Sequence, residues 1–540
     1  MSIEVILQPE GLRVNVLPGT TVQEAAAVAG IIIDAPCGGK GNCGKCRVEI
    51  IKGHMPPTGI EQKFIGREDL NRGTRLACQA RIFKPAQILI PPESRFSVQR
   101  ILTDTIGLQG LEPGSGKQGE GYGVAFDIGT TTLVGTLLET GTGKETGVSA
   151  RMNPQTVYGD DVISRINMVI VEADGLEKLH GKLIAELNIM IDELVKNAGI
   201  NRELVRKVTV AGNSTMQHLF LNVSPESMGT LPFTLAVRDS VSVGASETGI
   251  KISKEGTVRT LPNIAGYVGG DTVAGILATG LHKSDRIKLF IDIGTNGEIV
   301  LGNKDRFLAA STAAGPAFEG ARISQGMRAT SGAIEKVVIK DDVEINVIGN
   351  AEPAGICGTG LIDTIAELLR LGIIDATGRV LGQDEVPSGI PDKVKSRINS
   401  QGGFILVPAG ITRNKRPVGI IRRDVREVQV GKAAIAAGVR ILKQKLGIKD
   451  GDIHEVLLAG AFGNYIRRNN ARRIGLIPDL PSERIRYVGN TASAGAKLVL
   501  LSGKMAEEAD AISKNAEYVE LSTVPDFNDL FAEEIQFQGE

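Results

Sequence analysis

The stretch Phe126-Asp-Ile-Gly-Thr-Thr-Thr132 has a second copy in the chain, Ile291-Asp-Ile-Gly-Thr-Asn-Gly297. Both copies contain Asp-Ile-Gly-Thr, follow an apolar run typical of a buried strand, and lead into another such run. A weaker echo relates Val210-Ala-Gly-Asn213 to Leu458-Ala-Gly-Ala461. These repeats predict a duplicated fold in which two related halves face each other across a cleft.

Beyond residue 120, apolar strands alternate with helical patterns. The predicted strands include 123–126, 208–210, 289–291 and 456–458, and the predicted helices include 176–198 and 425–446. Such alternation is typical of α/β architecture. We therefore predict one α/β half at 121–280 and a second at 281–540.

The first 95 residues are predicted to form a separate α+β domain. Alternating polar and apolar residues at 3–16, with a turn at Gly11, predict a β-hairpin. A short helix at 21–29 and strands at 46–51 and 87–90 follow. Residues 96–120 include the run Glu112-Pro-Gly-Ser-Gly116, which cannot form a packed core and predicts a linker.

The composition excludes several classes of protein. Lys plus Arg (61) nearly cancels Asp plus Glu (62), so no net field attracts nucleic acid or an anionic membrane. The N-terminal sequence lacks a basic region followed by an apolar core, and no apolar run approaches about 18 residues. We expect a cytoplasmic protein without nucleic-acid or membrane partners.

Four of the five cysteines lie near the N-terminus, where Cys37, Cys43 and Cys46 form a C-x5-C-x2-C motif and Cys78 follows. Four thiolates in a glycine-rich loop suit a [2Fe–2S] cluster, because the glycines let backbone N–H groups approach the sulfur atoms. Structural zinc and inert buried cysteines are the alternatives, although zinc usually takes two Cys-x2–4-Cys pairs or histidines. Cys357 stands apart and is predicted to be a small buried residue.

A Walker A sequence is absent, so a P-loop is not predicted. At the mouth of a cleft, Asp127 and Asp292 could instead hold a hydrated Mg²⁺ ion, which prefers one or two carboxylates together with phosphate oxygens. The glycine and threonine residues after each aspartate could donate hydrogen bonds to the phosphates of a nucleotide. The weaker alternative is that each aspartate is an ordinary turn residue at a strand end.

Lys432 interrupts an otherwise apolar stripe of the helix predicted at 425–446. A buried ammonium without a partner is costly. Lys432 either extends its ammonium to solvent or contacts the nucleotide, and both alternatives stay open.

The repeated motif resembles the superfamily of acetate and sugar kinases, Hsp70 and actin, whose members bind ATP between two ribonuclease-H-like halves. The resemblance implies two phosphate loops and an adenosine loop, and Glu298 could orient the attacking water or be a solvated strand residue. The implied nucleotide-binding residues are Gly129, Thr130, Thr131, Thr132, Gly294, Thr295, Asn296, Gly297, Gly460 and Gly463. The cysteine motif resembles ferredoxins of the adrenodoxin and plant type, with a β-grasp fold and, for plant-type clusters, a potential near −400 mV.

A ferredoxin domain, a linker and an actin-like ATPase in one chain together resemble the reductive activators of corrinoid proteins. Further stretches carry this resemblance: Ala211–Met216, Gly266–Asp271, Ala314–Gly320, Cys357–Asp363 and Arg423–Gln429. It implies ATP-dependent transfer of one electron to the Co(II) corrinoid of a methyltransferase corrinoid protein, regenerating Co(I). It also implies a low-potential electron donor and leaves room for a homodimer. The alternatives are a ferredoxin-type reductase and a redox-sensing scaffold, neither of which hydrolyses ATP.

Overall fold

The computed structural model of the chain describes residues 3–29, 31, 33, 41, 44, 46–91, 94, 121–159, 161–294, 296–460 and 466–538. The predicted linker at 96–120 lies outside the described residues. By its contacts the chain divides into two compact units, Met1–Val98 with Met152–Met168, and Gln99–Arg151 with Val169–Glu540.

The first unit contains a five-stranded sheet of order β2-β1-β5-β3-β4. Its strands are β1 (Ile3–Gln8), β2 (Leu12–Val16), β3 (Arg47–Lys52), β4 (Thr74–Leu76) and β5 (Ala86–Leu89), and its helices are α1 (Val22–Val28), α2 (Glu61–Phe64) and α3 (Arg67–Asn71). β1 pairs antiparallel with β2 and parallel with β5. Every second residue of β1 is buried, so the sheet turns one face to a core. The predicted hairpin, short helix and strands are confirmed.

The second unit begins with a six-stranded sheet of order β10-β11-β9-β6-β7-β8. Its strands are β6 (Tyr122–Ile128), β7 (Thr132–Glu139), β8 (Glu145–Met152), β9 (Val205–Gly212), β10 (Ser242–Gly244) and β11 (Thr257–Thr260). The helices of this part of the chain are α4 (Val162–Val171), α5 (Gly175–Ala198), α6 (Ser214–Phe220) and α7 (Gly270–Thr279), and residues 162–168 of α4 belong to the first unit. The centre of β6 is a continuous buried run, as expected of a strand covered on both faces.

A second six-stranded sheet follows in the order β21-β20-β12-β13-β14-β22, with smaller sheets of order β16-β15-β17 and β18-β19 inserted after β14. The strands are β12 (Lys288–Ile293), β13 (Gly297–Gly302), β14 (Phe307–Thr312), β15 (Ala333–Ile339), β16 (Val343–Val347), β17 (Gly355–Ile356), β18 (Gly403–Val407), β19 (Val418–Ile421), β20 (Glu455–Ala459), β21 (Ile485–Gly489) and β22 (Glu517–Tyr518). The helices are α8 (Gly358–Arg370), α9 (Asp392–Lys395), α10 (Arg422–Leu446), α11 (Arg468–Arg473), α12 (Thr491–Leu501), α13 (Gly503–Asn515) and α14 (Phe527–Glu534).

The two six-stranded sheets share a topology, which confirms the duplication predicted from the repeated motif. In the first, β6 pairs antiparallel with β7 and parallel with β9. In the second, β12 pairs antiparallel with β13 and parallel with β20. α12, from the second half, packs against β6, β9 and α7 of the first half, so the two halves are in direct contact. No helix in the described part of the chain combines the length and apolar character needed to cross a membrane.

Candidate functional site

The repeated motif forms the same kind of turn in both halves. In the first turn the backbone N–H of Gly129 donates to the carbonyl of Thr132 (2.9 Å), and in the second that of Gly294 donates to the carbonyl of Asn296 (2.9 Å). The first turn spans 129–132 between paired strands, whereas the second spans 294–296 and is one residue shorter. As a consequence, Glu298 lies opposite Asp292 across the second hairpin, whereas Val134 lies opposite Asp127 in the first.

Four carboxyl groups converge where these strands end. Asp127 and Asp292 come from the two sheets, Glu298 from β13, and Asp271 from the first turn of α7. All four lie deep among protein atoms yet keep part of their surface open, as expected at the floor of a crevice. The two repeated aspartates therefore share one site.

Burial and mutual repulsion disfavour the charged forms of these carboxyl groups. Burial, followed by the charges of Asp271 and Asp127, raises the pKa of Asp292 to about 7. Burial also raises the pKa of Asp127 to about 7 and that of Asp271 to about 6. The pKa of Glu298 is raised well above its usual value by burial and by Asp271 and Asp292. The site is short of positive charge and suits a cation.

Neighbouring residues hold the two turns in place. The Nδ2 of Asn490, which caps α12, donates to Oδ2 of Asp127 (2.8 Å) and so joins the two halves. The Nδ2 of Asn213, which caps α6, donates to Oγ1 of Thr130 (2.9 Å). Gly460 has φ +91°, and a Cβ there would lie 2.7 Å from Oδ1 of Asp292, so only glycine allows this approach.

Asp271, Asn213 and Asn490 were not among the predicted site residues. Asn213 and Asp271 lie within stretches that carried the family resemblance, Ala211–Met216 and Gly266–Asp271. Each of the three lies at the start of a helix, just after a strand or loop. A polar residue at such a position could have signalled a side chain at the mouth of the cleft.

These residues fit a nucleotide-bound Mg²⁺ ion better than a free metal site. In the described ranges, no three His, Cys, Asp or Glu side chains converge closely enough to hold a metal ion by themselves. Mg²⁺ needs only one or two protein carboxylates when phosphate oxygens and water complete its shell. The glycine-containing turns beside the carboxylates leave backbone groups close to where phosphates would lie.

Lys432 is fully buried on α10, so the alternative in which its ammonium reaches solvent is wrong. Its Nζ donates to the carbonyl of Gln536 (2.6 Å) and lies 5.7 Å from the centre of the Phe537 ring. Burial lowers the pKa of Lys432 to about 8. The contacts of Lys432 in the structure are therefore with Gln536 and Phe537 near the C-terminus. Contact between Lys432 and a nucleotide stays a prediction.

Of the remaining predicted nucleotide-binding residues, Gly297 begins β13 beneath α10, where a Cβ would lie 2.8 Å from Cγ1 of Ile435. Thr295 and Gly463 lie outside the described residues. Cys357 is buried and its Sγ lies 3.3 Å from the carbonyl of Ile334, in agreement with its predicted structural role.

The predicted cluster cysteines are described in part. Cys37 and Cys43 lie outside the described residues. The Sγ atoms of Cys46 and Cys78 are buried and 3.4 Å apart, although Cys46 directly precedes β3 and Cys78 lies in the turn after β4. Gly41 and Gly44 have φ of +72° and +70°, a backbone conformation that favours glycine. Two converging thiols beside such a loop fit a [2Fe–2S] cluster.

The raised carboxyl pKa values predict that Mg²⁺–ATP binding strengthens as pH rises. Near pH 6 the groups at Asp127 and Asp292, with pKa values of about 7, hold protons that a cation must displace. We expect affinity to rise up to about tenfold per proton released for each pH unit between 6 and 7, and to level off above 7. Calorimetric titration in two buffers with different ionisation heats measures the protons released. Equal heats in both buffers at pH 6.5 would mean that no proton is released, and would contradict cation binding by Asp127 and Asp292.

The same shifts act on the ligand-free protein in the opposite direction. Between pH 4 and 7 the folded carboxyl groups bind protons that the unfolded chain, with pKa values near 3.8, has released. Proton binding by these carboxyl groups stabilises the folded state at low pH. That stabilisation is lost as the pH rises from 4 to 7. Thermal unfolding of the wild type and Asp292→Asn across that range isolates the part due to Asp292.

Comparison with known proteins covers nearly the whole chain. Family models match the 2Fe-2S iron-sulfur cluster binding domain at residues 5–82, the RACo middle region at 122–284, and the C-terminal domain of RACo, the ASKHA domain, at 286–540. The corrinoid activation enzyme RamQ of Eubacterium limosum is 34% identical over 580 aligned positions, covering 96% of each chain. The chain belongs to the reductive activators of corrinoid proteins.

Two further relatives resemble the activator over most of its length. A solved structure named "Reductive activator for corrinoid,iron-sulfur protein" superposes on this protein with a TM-score of 0.70 at 33% identity. The match covers 99% of this protein and 98% of the solved chain. A Methanosarcina barkeri reductase, whose substrate is a Co(II) methylated amine-specific corrinoid protein, is 27% identical over 77% of each chain. The predicted family and the predicted fold class, a β-grasp ferredoxin domain followed by duplicated ribonuclease-H-like ATPase halves, are confirmed.

Proposed function

We propose that this activator uses ATP to drive the transfer of one electron from a [2Fe–2S] cluster to the Co(II) corrinoid of a methyltransferase corrinoid protein, regenerating Co(I). The observation that carries the proposal is the proximity of Asp127 and Asp292, which come from two duplicated halves and stay partly exposed, in a chain that also has a ferredoxin domain. The related corrinoid activation enzyme and corrinoid protein reductase support the choice of acceptor.

In the ATP site, Asp127 and Asp292 would hold Mg²⁺, and backbone N–H groups of the two turns would donate hydrogen bonds to the phosphates. Glu298 orients the attacking water from its position opposite Asp292. The residues we assign to phosphate and adenosine binding are Gly129, Thr130, Thr131, Thr132, Gly294, Thr295, Asn296, Gly297, Lys432, Gly460 and Gly463. Asn490 and Asn213 are positioning residues, because each holds a predicted site residue by a side-chain hydrogen bond.

In the ferredoxin domain, we assign cluster ligation to Cys37, Cys43, Cys46 and Cys78. A bound [2Fe–2S] cluster supplies electrons one at a time, at a potential set partly by hydrogen bonds to its sulfur atoms. Arg47, directly after Cys46, helps to fix the cluster loop, since its guanidinium donates to the carbonyls of Gly44 (3.2 Å) and Phe64 (2.8 Å). We assign residues 1–95 to this domain, 96–120 to a linker, and 121–280 and 281–540 to the ATPase halves.

ATP is needed because Co(I) is a very strong reductant and the transfer is uphill. A ligand shifts a conformational equilibrium only by its different affinity for the two states. A Mg²⁺ ion with its bound ATP would be held by carboxylates from both halves and would favour a closed site, and hydrolysis of the ATP would weaken that hold. We propose that this closure favours a complex with the corrinoid protein in which cobalt accepts the electron. A low-potential donor then restores the reduced cluster, in a cytoplasmic protein that can act as a homodimer.

The test is an anaerobic titration of the reduced protein against isolated Co(II) corrinoid proteins, following the absorbance of Co(I) with and without ATP. We expect Co(I) to form with ATP and phosphate to be released in the same samples. Co(I) formation that is equally fast without ATP would leave only a ferredoxin-type reductase. ATP hydrolysis without any Co(I) formation would separate the nucleotide site from the proposed electron transfer.

A further inference from the structure

The amide of Gln79 lies against a cluster cysteine. Its Nε2 donates to Sγ of Cys78 at 3.4 Å, a normal length for a hydrogen bond to sulfur. The Cys78 thiol is buried and Gln79 is half-buried, so water screens this bond only in part. Among the described residues, the side-chain contacts of Cys78 thus include an amide donor as well as the Cys46 thiol.

The backbone fixes this arrangement. The N–H groups of Gln79 and Ala80 both donate to the carbonyl of Leu76, at 2.8 and 2.9 Å, which closes a tight turn around Cys78. On its other side the amide meets Gly41 of the cysteine loop, where a Cβ would lie 2.8 Å from Nε2 of Gln79. A side chain at Gly41 would therefore displace the amide. The glycine leaves room for the Gln79 amide between the loop and the thiol.

We propose that Gln79 is a positioning residue whose side-chain N–H bonds to the Cys78 thiolate and raises the reduction potential of the [2Fe–2S] cluster. This inference rests on the proposed ligation by Cys78. Reduction by one electron adds negative charge that is shared with the ligating sulfur atoms. An N–H group aimed at a sulfur is therefore more favourable in the reduced state, and its removal makes reduction harder.

The consequence for the activator is a balance between two steps. A higher potential lets a donor reduce the cluster more completely, while it makes transfer to cobalt more strongly uphill. Gln79 therefore sets how much of the driving force has to come from ATP. In this way a single side-chain hydrogen bond in the ferredoxin domain adjusts the coupling.

The test uses the full-length protein carrying its cluster, with Gln79→Leu to remove the donor at similar volume. We expect the equilibrium constant for one-electron reduction to fall about tenfold, which corresponds to a potential about 59 mV more negative. Gln79→Glu removes the donor and adds a charge, and we expect a larger shift in the same direction. The matched control is Gln62→Leu on neighbouring α2, where the side chain is exposed, and its potential should equal that of the wild type. Equal potentials for wild type and Gln79→Leu, at equal iron content, would overturn the proposal.

A second measurement tests the hydrogen bond directly in the wild-type protein. In wild-type protein labelled with ¹⁵N in the glutamine side-chain amide, pulsed EPR of the reduced cluster should detect a coupled ¹⁵N nucleus. Absence of that coupling overturns the role of Gln79. Cys78→Ala separates this failure from failure of the ligation: a cluster that persists with unchanged spectrum in Cys78→Ala contradicts the ligand assignment itself.

Discussion

Replacing Asp292 by Asn is expected to abolish ATP-dependent reduction of Co(II) and to slow ATP hydrolysis by about a thousandfold. That factor is the upper end of the range for losing one electrostatic contact to a reacting group. Asn keeps the volume of Asp292 and resembles its protonated form, but it cannot carry the negative charge that attracts Mg²⁺. The measurement is phosphate release together with Co(I) absorbance. The visible spectrum of the cluster should be unchanged, because Asp292 belongs to the second unit.

The folding of Asp292→Asn can be checked independently of its activity. At pH 8 the substitution removes a charge that Asp271 and Asp127 repel, so we expect the ligand-free thermal midpoint to equal or exceed that of the wild type. Asp384→Asn, at an exposed position, is the matched control and should retain full activity. Normal ATP-dependent Co(I) formation by Asp292→Asn would refute the assignment of the nucleotide site.

Replacing Cys46 or Cys78 by Ala is expected to remove the cluster and reduce Co(I) formation to background, while ATP hydrolysis continues. Each variant takes one ligand from a centre that needs four. Iron content, the visible spectrum and phosphate release measure the three effects on the same preparation. Retained phosphate release separates this phenotype from that of Asp292→Asn.

Cys357→Ala is the matched control for this pair. Cys357 is equally buried but lies at the start of α8 in the second unit. We expect its iron content and its rate of Co(I) formation to match the wild type. An Ala variant of Cys46 that keeps a full complement of iron would show that the ligand set is different from the one proposed.

The sequence was most informative where function depends on a local pattern. The proximity of Asp127 and Asp292 could be predicted because each lies near the end of a strand and is followed by the same residues, and a duplicated fold brings equivalent strand ends together. The stripe containing Lys432 correctly placed it on the apolar side of a helix. Periodicity reports burial but not the partner, and that partner, Gln536, is distant in sequence.

Other parts of the site depend on tertiary contacts that a single sequence does not encode locally. Asp271 and Asn490 reach Asp127 from helices of different halves, and their positions follow from the crossing of α7 and α12. At that crossing a Cβ on Gly495 would lie 2.4 Å from Cα of Ala274, so small residues allow the close approach. The sequence contains these small residues, but nothing local indicates that the two helices meet.

The one-residue difference between the two hairpin turns has a consequence for how a nucleotide is received. Two identical turns would form a binding site with twofold symmetry. An elongated ligand such as a triphosphate could then bind in either of two orientations. The shorter second turn breaks that symmetry, since an acidic side chain faces one aspartate and an aliphatic one faces the other. The two repeats therefore differ in the side chain that faces each aspartate, and we expect a bound triphosphate to adopt a single orientation between them.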